Sequence, residues 1–142
     1  MQPVKSYKDL DQNAVIKIAQ QLAEEPTQII ALKGTLGSGK SFFAKHFINH
    51  LQDEKTEVLS PSFNIALNYE AKIGEIFHFD LYRLKGREEL ENIGFFEALK
   101  NNICLIEWPE IVLEYLQKQQ NFSLIEIDIQ PDKLRQITIY QN

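Results

Sequence analysis

Residues 34–41 read GTLGSGKS, a full match to GxxxxGK followed by Ser or Thr, the pattern in which backbone N–H groups cradle phosphate. Its setting constrains the fold more than the octet does. A short apolar run, Ile29-Ile30-Ala31-Leu32, precedes it, and Phe42-Phe43-Ala44-Lys45-His46-Phe47-Ile48 follows it at helical spacing. Strand, tight loop and helix in that order belong to an α/β fold in which a sheet strand feeds a helix N-terminus. Gly34, Gly37 and Gly39 lack a Cβ, so the chain can turn sharply and aim successive N–H groups at one point. The helix adds its own unpaired N–H groups and the positive end of its dipole. Gly37, Ser38, Gly39, Lys40, Ser41 and Phe42 are therefore the candidate nucleotide-binding residues. Lys40 offers a mobile cation for the terminal phosphates, and the Ser41 hydroxyl a ligand for Mg²⁺. A chain built this way is expected to bind a nucleoside triphosphate.

The 142 residues are read as one domain, 1–142, long enough to bury a real core. Apolar runs are only a handful of residues long, too short for a membrane span, and MQPVKSYKDLDQN has no apolar stretch of signal-peptide length. The single cysteine, Cys104, rules out an internal disulfide framework and suits a reducing cytoplasm. A net charge of −5 with three arginines, Arg83, Arg87 and Arg135, argues against a protein that grips nucleic acid by itself. Any role near nucleic acid would run through another protein.

The rest of the chain reads as alternating helices and strands around a central, mostly parallel sheet with antiparallel hairpin additions. Asp11 caps an amphipathic helix over 12–23 with the stripe Val15, Ile18, Ala19 and Leu22. The helix after the glycine loop is expected from about Lys40 to Leu51. It carries His46 and His50, a spacing that zinc can use, although no third ligand is evident. Pro61 holds Ser60 extended and stiffens the loop Ser60-Pro61-Ser62-Phe63. Residues 64–70 and 75–82 suggest a hairpin turning near Lys72-Ile73-Gly74, and 87–99 one or two short helices broken near Gly94. Ile103-Cys104-Leu105-Ile106 is a buried strand, Pro109 opens a helix to about Lys118, and 123–129 and 134–140 close the chain as strands.

Turnover of a triphosphate needs a carboxylate near the metal, and doubly wound sheets bind ligands beyond the carboxyl ends of their strands. Glu107 ends the 103–106 strand in that position, where Asp is more usual. Asp80, in His78-Phe79-Asp80-Leu81-Tyr82-Arg83, shares a strand face with Ile76 and His78. It is placed either to serve the metal or an attacking water, or simply to make a turn. Lys40, Asp80 and Glu107 are the candidate catalytic residues, and Ser41 and Glu107 the candidate Mg²⁺ ligands. Arg83 is a candidate for neutralising charge on a transferring phosphoryl group, or equally for a structural ion pair. No guanine-reading Asn/Thr-Lys-x-Asp segment is present, so ATP is the default nucleotide.

GTLGSGKS at 34–41, SPSF at 60–63, HFDLYR at 78–83 and LIEWPE at 105–110 together resemble the TsaE family, also called YjeE. Its members are small bacterial ATPases of tRNA threonylcarbamoyladenosine synthesis. The order and spacing of these segments match that family along the whole chain. The resemblance implies partners, TsaD and TsaB, that carry out the transfer to tRNA. It also implies an ATPase weak alone and needed for repeated turnover. By the same resemblance Lys40 would contact phosphate, Ser41 and Glu107 would hold Mg²⁺, and Asp80 would belong to a catalytic or metal-organising switch. Residues 60–63 would form a switch-like loop, and Trp108 would lie beside the site. Ser41 and Ser62 stand where relatives often carry Thr. The alternative from the residues alone is a small-molecule kinase with the same phosphate cradle, although few arginines are available for a closing lid.

Overall fold

The computed structural model describes residues 1–52, 57–61, 65–71 and 74–142. Its strands are β1 (Pro3–Leu10), β2 (Ile29–Lys33), β3 (Ala66–Ala71), β4 (Gly74–Asp80), β5 (Ile103–Glu107), β6 (Phe122–Ile129) and β7 (Arg135–Gln141). Its helices are α1 (Gln12–Ala23), α2 (Lys40–Leu51), α3 (Arg87–Asn92), α4 (Phe95–Ala98) and α5 (Leu113–Leu116), with a 3₁₀ turn over Pro109–Val112. The strands make one seven-stranded sheet in the order β1-β7-β6-β2-β5-β4-β3. The central strands β6, β2, β5 and β4 run parallel. β7 and β1 add to one side and β3 to the other, all antiparallel.

Both faces of the sheet are covered, so the central strands have no polar side to show. In β2, Ile30 and Leu32 join α1 and α2 in one core, while Ile29 and Ala31 join α3, α4 and α5 in the other. The helix α1 begins where Asp11 accepts the Ala14 N–H at 2.8 Å, and it buries Val15, Ile18, Ala19 and Leu22. Phe43, Ala44, Phe47 and Ile48 tie α2 down on the same face. Large side chains buried this fully contribute about 1.5–3 kcal/mol each, which makes α2 a rigid base for whatever its N-terminus holds.

The β3–β4 hairpin forms as expected, with Ala71 opposite Gly74, although the turn residues Lys72 and Ile73 lie outside the described residues. The break at Gly94 is also present, where φ is 73° and α3 gives way to α4. Two features differ from the sequence reading. Pro3–Leu10 is an edge strand, β1, whose mostly exposed side chains give it little apolar alternation. The helix after Pro109 is split, opening as a 3₁₀ turn and continuing as the short α5, which ends at Leu116.

Candidate functional site

Because β2, β4 and β5 are parallel, their carboxyl ends reach one edge of the sheet together. There Leu32 stands opposite Glu107, and Asp80 stands opposite Glu107 on the other side. Glu107 keeps the strand parity of Leu105, and Asp80 that of Ile76, so both acids lie on the α2 face. Residues 34–39 cross this edge as a loop into α2. Gly37 and Gly39 take φ of 80° and 111°, values that would strain a residue carrying a Cβ. The Ser38 N–H closes the turn onto Thr35 O at 3.0 Å, and Phe43 N–H makes a helical bond to Gly39 O at 2.9 Å. The N–H groups of Lys40, Ser41 and Phe42 precede that ladder and face out of the helix end.

Lys40 is 5% exposed. Its ammonium donates to Gly34 O at 2.8 Å and Thr35 O at 3.0 Å, and lies 4.1 Å from the centroid of the Trp108 ring. Burial pushes this ammonium below the ordinary lysine value, against the opposing pull of the Glu107, Glu110 and Asp80 carboxylates. Ser41 Oγ is 2.9 and 3.0 Å from the two oxygens of Glu107. His78 Nε2 reaches Glu107 Oε2 at 2.6 Å. Asp80 Oδ1 accepts the Tyr82 N–H at 3.0 Å, so it serves a turn while also lining the cleft. Trp108 sits in the left-handed region at φ 54°, and its ring meets that of Tyr82 at 4.7 Å between centroids.

These groups surround a cleft of about 220 Å³ lined by the loop, the first turn of α2, Asp80, Glu107 and Trp108. Lys40, Ser41, Asp80 and Glu107 are thus brought together, with Gly37, Gly39 and Phe42 on the same wall. Ser38 lies apart from them. It lines a neighbouring slot of about 300 Å³ with Val15, Phe42, Ile127 and Leu134, and its hydroxyl is buried with no partner among the described residues. Gly39 and Phe42 border both spaces. Ser60 reaches the site, its hydroxyl 3.4 Å from that of Ser41, whereas Ser62 and Phe63 lie outside the described residues.

Arg83 is exposed after β4 and does not line the cleft. His50 pairs with Glu24 at 3.0 Å and the His46 ring packs on Phe42, so the two histidines are engaged separately. Among the described residues no three His, Cys, Asp or Glu side chains converge on a metal position. Mg²⁺ asks for less: one carboxylate and one hydroxyl oxygen, with phosphate and water completing its shell. Ser41 and Glu107 fit that donor set.

Two contributors had no role in the sequence reading. Arg135 donates from Nε to Ser38 O at 2.7 Å, with Nη2 3.5 Å from Gly37 O, and so braces the loop from β7. A lone arginine about a hundred residues from the loop carries no local signal of that contact. His78 was read only as a strand neighbour of Asp80. Its alternation with Ile76 pointed inward, which was the available clue.

A glycine loop running from a central parallel strand into a helix, faced by acids from the next two strands, defines a P-loop NTPase-like α/β domain. The family model described as "Threonylcarbamoyl adenosine biosynthesis protein TsaE" matches residues 10–137. A tRNA threonylcarbamoyladenosine biosynthesis protein TsaE from Rickettsia felis is 42% identical over 116 residues, covering 80% of this chain and 66% of its own length. The chain thus spans just under two thirds of that relative. The TsaE of Aquifex aeolicus is 30% identical over 128 residues, 88% of this chain and 87% of its own. The crystal structure of Bacillus subtilis YdiB aligns with a TM-score of 0.73 and 27% identity, over 95% of this chain and 83% of that one. The chain belongs to the TsaE family.

Proposed function

We propose that this protein binds ATP with Mg²⁺ and hydrolyses it as one component of the machinery that makes threonylcarbamoyladenosine in tRNA. It would act with TsaD and TsaB and contact tRNA through them. The observation that carries the chemistry is the Ser41 hydroxyl held on the Glu107 carboxylate at the foot of the glycine loop. The pathway rests on the family, whose relatives bear that name.

In this reading the triphosphate lies along the loop, with the N–H groups of Gly39, Lys40, Ser41 and Phe42 turned to its oxygens. The base enters the adjoining slot between Val15, Phe42, Ile127 and Leu134. Two of the three Lys40 N–H donors are taken by loop carbonyls, which fixes the ammonium and leaves one for the terminal phosphate. Asp80, held by the Tyr82 N–H, orients a water for in-line attack on the γ-phosphorus, and the bond to the ADP oxygen breaks. When bound, Mg²⁺ neutralises charge on the β- and γ-phosphate oxygens.

Replacing Lys40 with Ala should weaken nucleotide binding or slow turnover by roughly 10²-fold or more. The measurement is ADP release with and without TsaD and TsaB, scoring modified tRNA in parallel. Undiminished partner-stimulated ATPase in the variant would contradict the assignment. A phosphorylated metabolite in place of free phosphate would return the kinase reading.

A further inference from the structure

His78 is completely buried, yet it is a polar ring in the middle of a strand whose neighbours Ile76 and Phe79 are core. In the parallel pairing of β4 with β5 it stands opposite Leu105, one pleat before Asp80 meets Glu107. From there Nε2 lies 2.6 Å from Glu107 Oε2, while Nδ1 is buried with no hydrogen-bond partner among the described residues. A carboxylate accepts, so the proton at this contact sits on Nε2. The unpartnered Nδ1 then carries a lone pair rather than a stranded N–H, which would cost more to bury.

The second donor to the same carboxylate is the Ser41 hydroxyl, within reach of both oxygens. A hydroxyl has one proton and can satisfy only one oxygen at a time. Without the imidazole, Glu107 could rotate about its last torsion and exchange its oxygens. With Oε2 held, Oε1 and the Ser41 oxygen are the pair left to line the cleft.

We propose that His78 is a positioning residue for the cation: its Nε2–H fixes the Glu107 carboxylate so that Oε1 and Ser41 Oγ face Mg²⁺ together. This rests on the Mg²⁺–nucleotide reading above. Hydrogen-bond partners of metal-holding carboxylates govern metal affinity at the level of about 10- to 100-fold. His78→Phe keeps the ring volume and removes the donor. His78→Gln places an amide N–H near the position of Nε2, and His78→Asn has a donor too short to reach.

The test is calorimetry of ADP binding, in EDTA and across a Mg²⁺ titration, with Mn²⁺ binding followed by electron paramagnetic resonance. His78→Phe and His78→Asn should bind ADP as the parent does in EDTA, yet require about 10- to 100-fold more Mg²⁺ to reach the half-effect. His78→Gln should restore most of the loss, a rescue that a packing role would not produce. A parental Mg²⁺ midpoint in both His78→Phe and His78→Asn overturns the proposal. So does an equal loss in His78→Gln. A parent protein whose ADP binding ignores Mg²⁺ would instead sink the Mg²⁺ part of that reading, and one that binds no ADP at all would sink the nucleotide reading itself. Long-range ¹⁵N spectra of the metal-free parent give a readout that needs no variant. A proton on Nε2 supports the assignment, and a proton on Nδ1 alone refutes it.

Discussion

Gly34 joins β2 to the loop, and its requirement is space. A Cβ built there lies 2.5 Å from Ile127 O, 2.5 Å from Ser38 Oγ and 3.1 Å from Ser38 Cβ. The serine hydroxyl can turn aside, but Ile127 O belongs to β6, where Ile127 is registered against Ile137 of β7. In Gly34→Ala, therefore, either the sheet or the loop has to shift by several tenths of an ångström. Overpacking of this kind costs about 1–3 kcal/mol. An unfolding entropy of about 2.1 cal/mol/K per residue comes to roughly 0.3 kcal/mol/K for a chain of this length. The expected fall in Tm is then about 3–10 °C by differential scanning calorimetry. Gly37→Ala provides the contrast. It meets nothing within 4 Å, but its φ is +80°, so its cost is conformational, roughly 1 kcal/mol or about 3 °C, and Gly37→Asn should recover part of it. The same shift at Gly34 would drag the carbonyl that anchors Lys40, so nucleotide affinity should fall as well. A Gly34→Ala protein melting within about a degree of the parent, or above Gly37→Ala, would refute the steric argument.

Cys104 is expected to be inert to thiol reagents in the native protein, because burial pushes its thiol from 9.0 up to about 12. The folded value lies above the unfolded one, so this contribution to stability is complete below pH 9 and is lost as pH rises toward 12. The slope is at most about 1.4 kcal/mol per pH unit. Denaturant midpoints above pH 9 should therefore fall more steeply for the parent than for Cys104→Ala, and parallel curves would count against it. Arg135→Ala removes the charged donor to Ser38 O. It should lower stability by about 1.5 kcal/mol and weaken nucleotide binding. Arg135→Lys, a point charge without the fork, should recover little of either, and full recovery by Lys would show that the fork geometry is irrelevant.

Local signals served the sequence reading well where one stretch contained its own reasons. Asp11 and the Val15, Ile18, Ala19, Leu22 stripe sufficed to place α1, because a cap and a 3.6-residue period are properties of adjacent residues. The glycine octet, flanked by a strand and a helix, likewise announced the loop. Glu107 was legible as a strand-end acid, since an apolar run stops at it. The pairing of β1 with β7 was not legible: an edge strand with mostly exposed side chains has no burial pattern to read, and its partner lies at the far end of the chain. Arg135 on the loop and His78 on Glu107 are contacts across 97 and 29 residues, created by strand order rather than by any spacing in the sequence.

Trp108 is the chain's sole tryptophan, and it stands against the Lys40 ammonium and the Tyr82 ring. Indole emission responds to the electric field across its ring, and a cation 4.1 Å from the centroid is a strong local source of that field. An anion arriving beside the fixed ammonium adds its own opposing charge and alters the field directly. The protein thus carries an intrinsic fluorophore at the mouth of its own cleft, and its ligand occupancy can be followed optically without attaching a dye.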